Sequence, residues 1–121
     1  MPTPVTPRIS ITIDCNDIER MADFWQQVLS FTDDGGDGHY RWISAKDGTQ
    51  PSIILQRVPE ARTEKNRIHL DLQVPHIEVE AARIVALGAT RIDETPIAEV
   101  GYRWIRLADL EGNEFCVVET P

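Results

Sequence analysis

The sequence has few cysteines, no excess of basic residues and no long apolar run, and each absence excludes a class of protein. Cys15 and Cys116 are its only cysteines, with no C-x-x-C pair, which argues against a disulfide framework or a structural zinc knuckle. A net charge of -8, with Lys and Arg scattered along the chain, disfavours nucleic acid as a partner. No stretch approaches the roughly 18 apolar residues that span a bilayer, and the first residues lack a secretory pattern. We therefore expect a cytoplasmic protein that binds neither nucleic acid nor membrane.

The composition is that of an ordinary globular protein. The chain has 121 residues, of which 41% are hydrophobic and 26% are charged. A chain of this length suits one hydrophobic core. We expect a single domain over residues 1–121.

The chain repeats itself. The pentapeptide "HYRWI" (39–43) returns as "GYRWI" (101–105), and each copy precedes a turn with Asp and Gly and then an apolar strand, "SIILQRV" or "EFCVVE". Upstream, "ISITID" (9–14) aligns with "IHLDLQ" (68–73). Because a duplicated unit constrains architecture more firmly than local propensity, we predict two modules, at about 8–58 and 66–120, joined by the polar segment "VPEARTEKN".

Each module is predicted to run β-α-β-β-β. In the first strand Ile9, Ile11 and Ile13 alternate with polar residues, and Ile68, Leu70 and Leu72 do the same in the second module. Asn16 with Glu19 suggests a capping box for a helix at about 16–28, and Pro75 and Gly88 bracket a second helix at about 76–87.

Three strands follow each helix, which gives eight strands in all. The fold class is therefore α+β, with paired modules that form a curved mixed sheet around a cleft, isoleucine faces under the helices and opposite faces free. An α+β sandwich of ferredoxin type mixes the same elements, but it does not predict three consecutive strands after each helix.

Paired β-α-β-β-β modules resemble the vicinal oxygen chelate superfamily, which includes glyoxalase I, extradiol dioxygenases and the bleomycin- and fosfomycin-resistance proteins. The segments "IDCNDIERMADFWQQVLSF", "KNRIHLDLQV" and "LADLEGNEFCVVE" are similar to its opening strand and helix, the start of its second module and its closing hairpin. The resemblance extends from about Arg8 to Glu119 and is closest to small glyoxalase-like proteins. It implies the fold more specifically than the chemistry.

The resemblance also implies four metal-ligand positions, which fall on Ser10, Gln56, His69 and Cys116. This set has one imidazole and no carboxylate, so we expect no metal cofactor, although a divalent metal, with zinc held by Cys116 and His69, stays open. His69 is alternatively a ring hydrogen-bonded to Gln56 or Ser10. Cys116 is alternatively apolar filler, or a nucleophile with His69 as its base.

Four aromatic residues are candidates for ligand binding, together with His69 and Cys116. If Ile43 and Ile105 face the helices, the aromatic side chains of the two YRWI strands face the cleft and suit a flat or amphipathic small molecule. The alternatives are that the rings fill an unused cavity or lie at a dimer interface. The four residues are Tyr40, Trp42, Tyr102 and Trp104.

The favoured function is binding of a small organic molecule in the cleft, with a degenerate metal site. The alternatives are a metal-dependent lyase, isomerase or dioxygenase of the glyoxalase type, and a structural or regulatory dimer without ligand. We expect a homodimer, because Trp25, Trp42, Tyr102 and Trp104 would otherwise expose apolar surface to water.

Overall fold

The computed structural model describes Thr6 and residues 8–119. The chain divides into two compact units, of which the first ends at Pro59 and the second begins at Glu60. Each unit contains one helix and one mixed sheet, of four strands in the first unit and five in the second. The class is α+β, as the sequence predicts.

The first unit follows the predicted β-α-β-β-β order. Its sheet has the strand order β1-β4-β3-β2, with β1 and β4 parallel and the other neighbours antiparallel. The elements are β1 (Ser10–Cys15), α1 (Ile18–Leu29), β2 (Thr32–Gly36), β3 (Tyr40–Ser44) and β4 (Ser52–Arg57).

Helix α1 begins later than predicted, because Asp17 rather than Asn16 is its N-cap. The Asp17 carboxylate accepts a hydrogen bond from the backbone N–H of Arg20 at 3.2 Å, which satisfies a donor left free at the helix start. Asn16 instead donates its side-chain N–H to the backbone oxygen of Val58 at 2.9 Å. The predicted capping box of Asn16 and Glu19 is therefore wrong.

The core of the first unit lies between α1 and one face of the sheet. Ile43 and Leu55 are fully buried, and Trp25 is 1% exposed, with its ring edge-on to Phe24 at a centroid distance of 5.4 Å. The expectation that Trp25 contributes to an exposed apolar surface is wrong. Its position on the apolar side of an amphipathic helix places it in the core.

The second unit has one strand more than predicted. Its sheet has the order β5-β9-β8-β6, with β5 and β9 parallel and β7 also paired to β8. The elements are β5 (Asp71–Gln73), α2 (Ile77–Ala86), β6 (Thr90–Arg91), β7 (Ile97–Glu99), β8 (Tyr102–Ala108) and β9 (Glu114–Glu119).

The extra strand arises where a side chain interrupts pairing with β8. The Asp93 carboxylate accepts a hydrogen bond from the backbone N–H of Arg106 at 3.0 Å, so β6 ends after Arg91 and pairing with β8 resumes at Ile97. The described residues therefore form nine strands rather than eight. Strand β5 is also shorter than the predicted 68–73, and the expectation that Ile68 packs under a helix is wrong, because its side chain is 87% exposed.

The core of the second unit repeats the arrangement of the first. Helix α2 covers one sheet face with its buried residues Ile77, Ala81 and Ile84. From the sheet, the buried residues are Ile105, Leu107, Phe115 and Val117. Among the described residues, neither helix is long and apolar enough to cross a membrane.

Candidate functional site

The helix-free face of the second sheet carries a row of ionisable side chains. Successive side chains of a strand point to opposite faces, and directly paired residues on neighbouring strands share a face. Phe115 and Val117 are buried in the core, so Cys116 points to the other face, as the sequence predicts. Its partners in register are Asp71 on β5 and Arg106 on β8.

His69 and Asp93 extend this set at its two ends. The Nδ1 atom of His69 lies 3.1 Å from Oδ1 of Asp71, and Asp93 holds Arg106. We call these five residues the ionisable row. In spatial order they are Asp93, Arg106, Cys116, Asp71 and His69.

One end of the row brings three potential metal ligands together. The ligand atoms of His69, Asp71 and Cys116 all lie within 4.8 Å of one another. The side chains of His69 and Asp71 are 44% and 53% exposed, whereas Cys116 is 6% exposed. The trio therefore has a buried sulfur at its base and an imidazole and a carboxylate open to solvent.

The pKa of the Cys116 thiol is raised to about 11, first by burial and then by the negative charge of Asp71 and by the hydrogen bond that the thiol donates to the Asp71 carboxylate. The positive charge of Arg106 opposes this shift only partly. At neutral pH the thiol is protonated, so these surroundings do not activate it as a nucleophile. The alternative of a Cys116–His69 nucleophilic pair gains no support from the site.

Arg106 is held in a bidentate ion pair at the other end of the row. Its Nη2 lies 2.8 Å from Oδ1 of Asp93, and its Nε lies 3.0 Å from Oδ2. The hydrogen bond from the Arg106 side chain is the largest cause that lowers the pKa of Asp93, although partial burial opposes it. The positive charge beside Cys116 is therefore already compensated by a fixed carboxylate.

The structure does not bring Ser10 and Gln56 together. Ser10 lies opposite Ser52, with 3.1 Å between the two hydroxyl oxygens, and Gln56 lies opposite Asp14. The two candidate positions are thus four register steps apart, about 13 Å along the strands. The expectation that Ser10 and Gln56 lie close together is wrong. It assumed that Gln56 and Cys116 are equivalent positions of the two repeats, and the strand register does not support that equivalence.

The register identifies a different counterpart of Cys116 in the first unit. If Ser10 and His69 are equivalent, then Thr12 and Asp71 are equivalent, and their partners in register are Ile54 and Cys116. An apolar residue therefore occupies in the first unit the place that the thiol occupies in the second.

The aromatic residues of the first unit form an exposed pair. Tyr40 and Trp42 are 38% and 39% exposed, and their ring centroids are 5.8 Å apart. Both alternate with buried Ile43, so they occupy the helix-free face, as predicted. The Nε2 atom of Gln56 donates a hydrogen bond to the Tyr40 hydroxyl at 3.4 Å.

The aromatic residues of the second unit are placed differently. Trp104 lies opposite Val118, two residues from the Arg106–Cys116 pair, whereas Trp42 lies opposite Ile54. Tyr102 is 42% exposed and lines an open depression of about 340 Å³ at the hairpin between β7 and β8. The depression is formed by residues 98–103.

Asp71 and Arg106 belong to the site but are absent from the candidates derived from sequence. Asp71 was recognisable, because in "IHLDLQ" it alternates in phase with His69 and must share its face of the strand. Arg106 follows the repeated YRWI motif, and only the strand register places it opposite Cys116. A carboxylate therefore does stand beside His69 and Cys116, outside the four positions implied by the resemblance.

The α+β fold is that of a glyoxalase-like protein. The family model for the glyoxalase-like domain matches residues 10–118, and the chain belongs to that family. No curated protein matches the sequence.

Solved structures share the fold at low sequence identity. A glyoxalase/bleomycin resistance protein/dioxygenase family enzyme from Burkholderia phytofirmans has a TM-score of 0.79 at 20% identity, over 93% of this chain and 97% of its own. The fosfomycin resistance protein FosX from Mesorhizobium loti has a TM-score of 0.75 at 16% identity, over 98% and 95%. FosX from Listeria monocytogenes, in complex with Mn(II) and sulfate, has a TM-score of 0.79 at 17% identity, over 98% and 93%.

Proposed function

We propose that this protein binds a small, flat organic molecule on the helix-free face of its first sheet. The observation that supports this most strongly is the exposed pair of Tyr40 and Trp42 on a face that α1 leaves uncovered. The two adjacent exposed rings, inclined by 33° to each other, offer an apolar surface, which favours aromatic or amphipathic ligands through stacking. The fold family, which includes resistance proteins, is consistent with small-molecule recognition.

Polar groups beside the rings would orient such a ligand. The Gln56 side chain contacts the Tyr40 hydroxyl, and its amide has donors and an acceptor beyond that one bond. Thr12 and Ile54 continue the face on the neighbouring strands. We propose Tyr102 and Trp104 of the second sheet as a separate candidate for ligand binding, where a depression adjoins Tyr102.

A thermal-shift screen with planar aromatic carboxylates, phenols and quinones tests this proposal. A ligand that binds only the folded state raises the melting temperature by mass action. We expect at least one class to stabilise the protein and quench tryptophan fluorescence, and Trp42→Ala to abolish that stabilisation. Val79→Ala removes an exposed apolar side chain from α2 and is the matched control, which should respond as the wild type does. A panel without shifts, or an unchanged response in Trp42→Ala, would contradict the proposal.

We also propose a homodimer in the cytoplasm. Tyr102 is an exposed aromatic residue outside the Tyr40–Trp42 pair, and pairing of subunits at Tyr102 would remove part of its surface from water. Light scattering at micromolar concentration should give about twice 13.7 kDa. A mass near that of one chain would contradict the dimer.

Metal-dependent lyase, isomerase or dioxygenase chemistry of the glyoxalase type is the second candidate function. The trio of His69, Asp71 and Cys116 favours it, because a carboxylate joins an imidazole and a thiol within 4.8 Å. FosX from Listeria monocytogenes was solved with Mn(II), but a thiol with one carboxylate is a poor donor set for that hard ion. The same donors fit zinc, which when bound would act as a Lewis acid toward a substrate oxygen.

A further inference from the structure

We infer that the ligand of the Tyr40–Trp42 site is a planar organic cation, held by the two rings and attracted by the carboxylates of Asp14 and Asp34. This inference rests on the proposed function, because it names the chemical class of the ligand that the rings would bind. It does not depend on the ionisable row, which lies in the other unit.

Asp14 presents a carboxylate on the same face as the rings. Asp14 of β1 lies opposite Gln56 of β4, and Gln56 lies opposite Tyr40 of β3. Residues paired directly on neighbouring strands share a face, so all three side chains point away from α1. Neighbouring strands are about 4.8 Å apart, which places the Cα atoms of Asp14 and Tyr40 about 10 Å from each other. The residue between them in the register is the neutral Gln56.

Asp34 presents a second carboxylate on the other side of the rings, where β2 lies beside β3. The register of these two strands shifts at Asp34, and its carboxylate accepts a hydrogen bond from the Ser44 hydroxyl. Ser44 follows Trp42 by two residues, so the two side chains share a face and their Cα atoms are about 7 Å apart. A hydrogen bond from a neutral hydroxyl leaves the negative charge of Asp34 in place.

The arginines of these strands point to the opposite face. Arg41 lies between the two aromatic residues in sequence, and its guanidinium is bound at 2.6 Å by the Glu19 carboxylate of α1. Arg57 lies opposite buried Cys15, on the face that α1 covers. The described residues of β1 to β4 therefore place two carboxylates, and no Lys or Arg, on the face that carries the rings.

Rings and carboxylates together favour a positive charge on the ligand. The face of an indole or phenol ring attracts a cation through the ring quadrupole. Carboxylates at about 7–10 Å add a Coulomb attraction, which physiological salt, with a Debye length of about 8 Å, weakens without removing. An anionic aromatic ligand would be repelled by the same two carboxylates. The expected order of affinity is cation, then neutral molecule, then anion.

A matched series of ligands tests the inference. The probes share one bicyclic ring system and differ in charge: N-methylquinolinium, quinoline, which is uncharged at neutral pH, and quinoline-6-carboxylate. Their dissociation constants for the full chain are measured by isothermal titration calorimetry. We expect the cation to bind on the order of tenfold more tightly than quinoline, and the carboxylate to bind most weakly. Added sodium chloride should weaken binding of the cation and leave that of quinoline unchanged.

Substitution of the carboxylates locates the origin of the preference. Asp14→Asn and Asp34→Asn keep the side-chain shape and remove one charge, so each should lower the preference for the cation over quinoline about twofold to threefold. Affinity for quinoline itself should not change. Asp23→Asn, at an exposed position of α1, removes the same charge elsewhere and is the matched control, which should retain the wild-type preference.

The outcomes separate this inference from the proposed function. Equal affinity for N-methylquinolinium and quinoline would overturn the inference and leave the ring site standing, whereas binding of none of the three probes would contradict both. A preference for the cation that Asp14→Asn and Asp34→Asn lower no more than Asp23→Asn does would also overturn the inference. The attraction would then come from the net charge of -8 on the whole chain and not from this face.

Discussion

The two units share a plan but differ in the chemistry of their helix-free faces. Both have one helix over a mixed sheet whose buried face contains the isoleucine of a YRWI strand, Ile43 or Ile105. On the other face the first unit presents Thr12, Ile54 and Trp42 in register. The second presents Asp71, Cys116 and Arg106 in register.

In this repeated fold the two cores are alike, whereas the residues of the two helix-free faces differ. Alternation of side chains gives each strand two independent sets of residues, so one set can preserve packing while the other changes function. Where the second unit has a thiol, a carboxylate and an imidazole, the first has Ile54, Thr12 and Ser10, and Trp42 lies opposite Ile54. Ligand stacking is therefore proposed for one unit and metal binding for the other.

The largest predicted effect tests whether the two cores are equivalent. Ile43→Ala and Ile105→Ala each remove a fully buried side chain, and such changes cost about 2–5 kcal/mol of unfolding free energy because a cavity remains. We expect similar losses in the two variants, measured by urea denaturation. A large loss in one variant and almost none in the other would break the equivalence of the units.

A smaller effect distinguishes the arginine ion pairs of the two units. The Asp93 side chain, which pairs with Arg106, is 11% exposed, whereas that of Asp33, which pairs with Arg41, is 40% exposed. Asp93→Asn should lower the melting temperature by several degrees, because it weakens a bidentate ion pair beside the core. Asp33→Asn is the matched control and should have a smaller effect, since exposed ion pairs contribute little.

The pH dependence of this difference follows from the lowered pKa of Asp93. A carboxyl whose pKa falls on folding stabilises the protein fully above its ordinary value, here 3.8, and loses that contribution as the pH falls through the folded value. The gap in melting temperature between wild type and Asp93→Asn should therefore stay constant from neutral pH down to about 4 and shrink below it. A gap that grows on acidification would contradict the assignment.

Much of the fold could be predicted from the sequence because it rests on periodic patterns. The repeat located both units, and the alternation in "EFCVVE" placed Cys116 on the helix-free face. The helices at Ile18–Leu29 and Ile77–Ala86 agree with the predicted ranges to within two residues at each end. These features follow from hydrophobic periodicity, which one sequence displays directly.

The site was harder to predict because it depends on strand register. Gln56 and Cys116 look equivalent when the two sequence repeats are aligned. In the structure, however, β1 and β4 pair Asp14 with Gln56, whereas β5 and β9 pair Asp71 with Cys116. Register is fixed by hairpin length and by local interruptions such as Asp93, which no alternation pattern reveals. Strand β7 was missed for the same reason.

X-ray absorption at the zinc edge tests the central claim, that the second unit holds a metal site built on its thiol, most directly. Zinc-loaded protein should show one sulfur scatterer at about 2.3 Å with nitrogen and oxygen scatterers near 2.0 Å. Cys116→Ser should lose the sulfur scatterer, while Asp14→Asn should retain it. A wild-type spectrum with only nitrogen and oxygen neighbours would contradict the account.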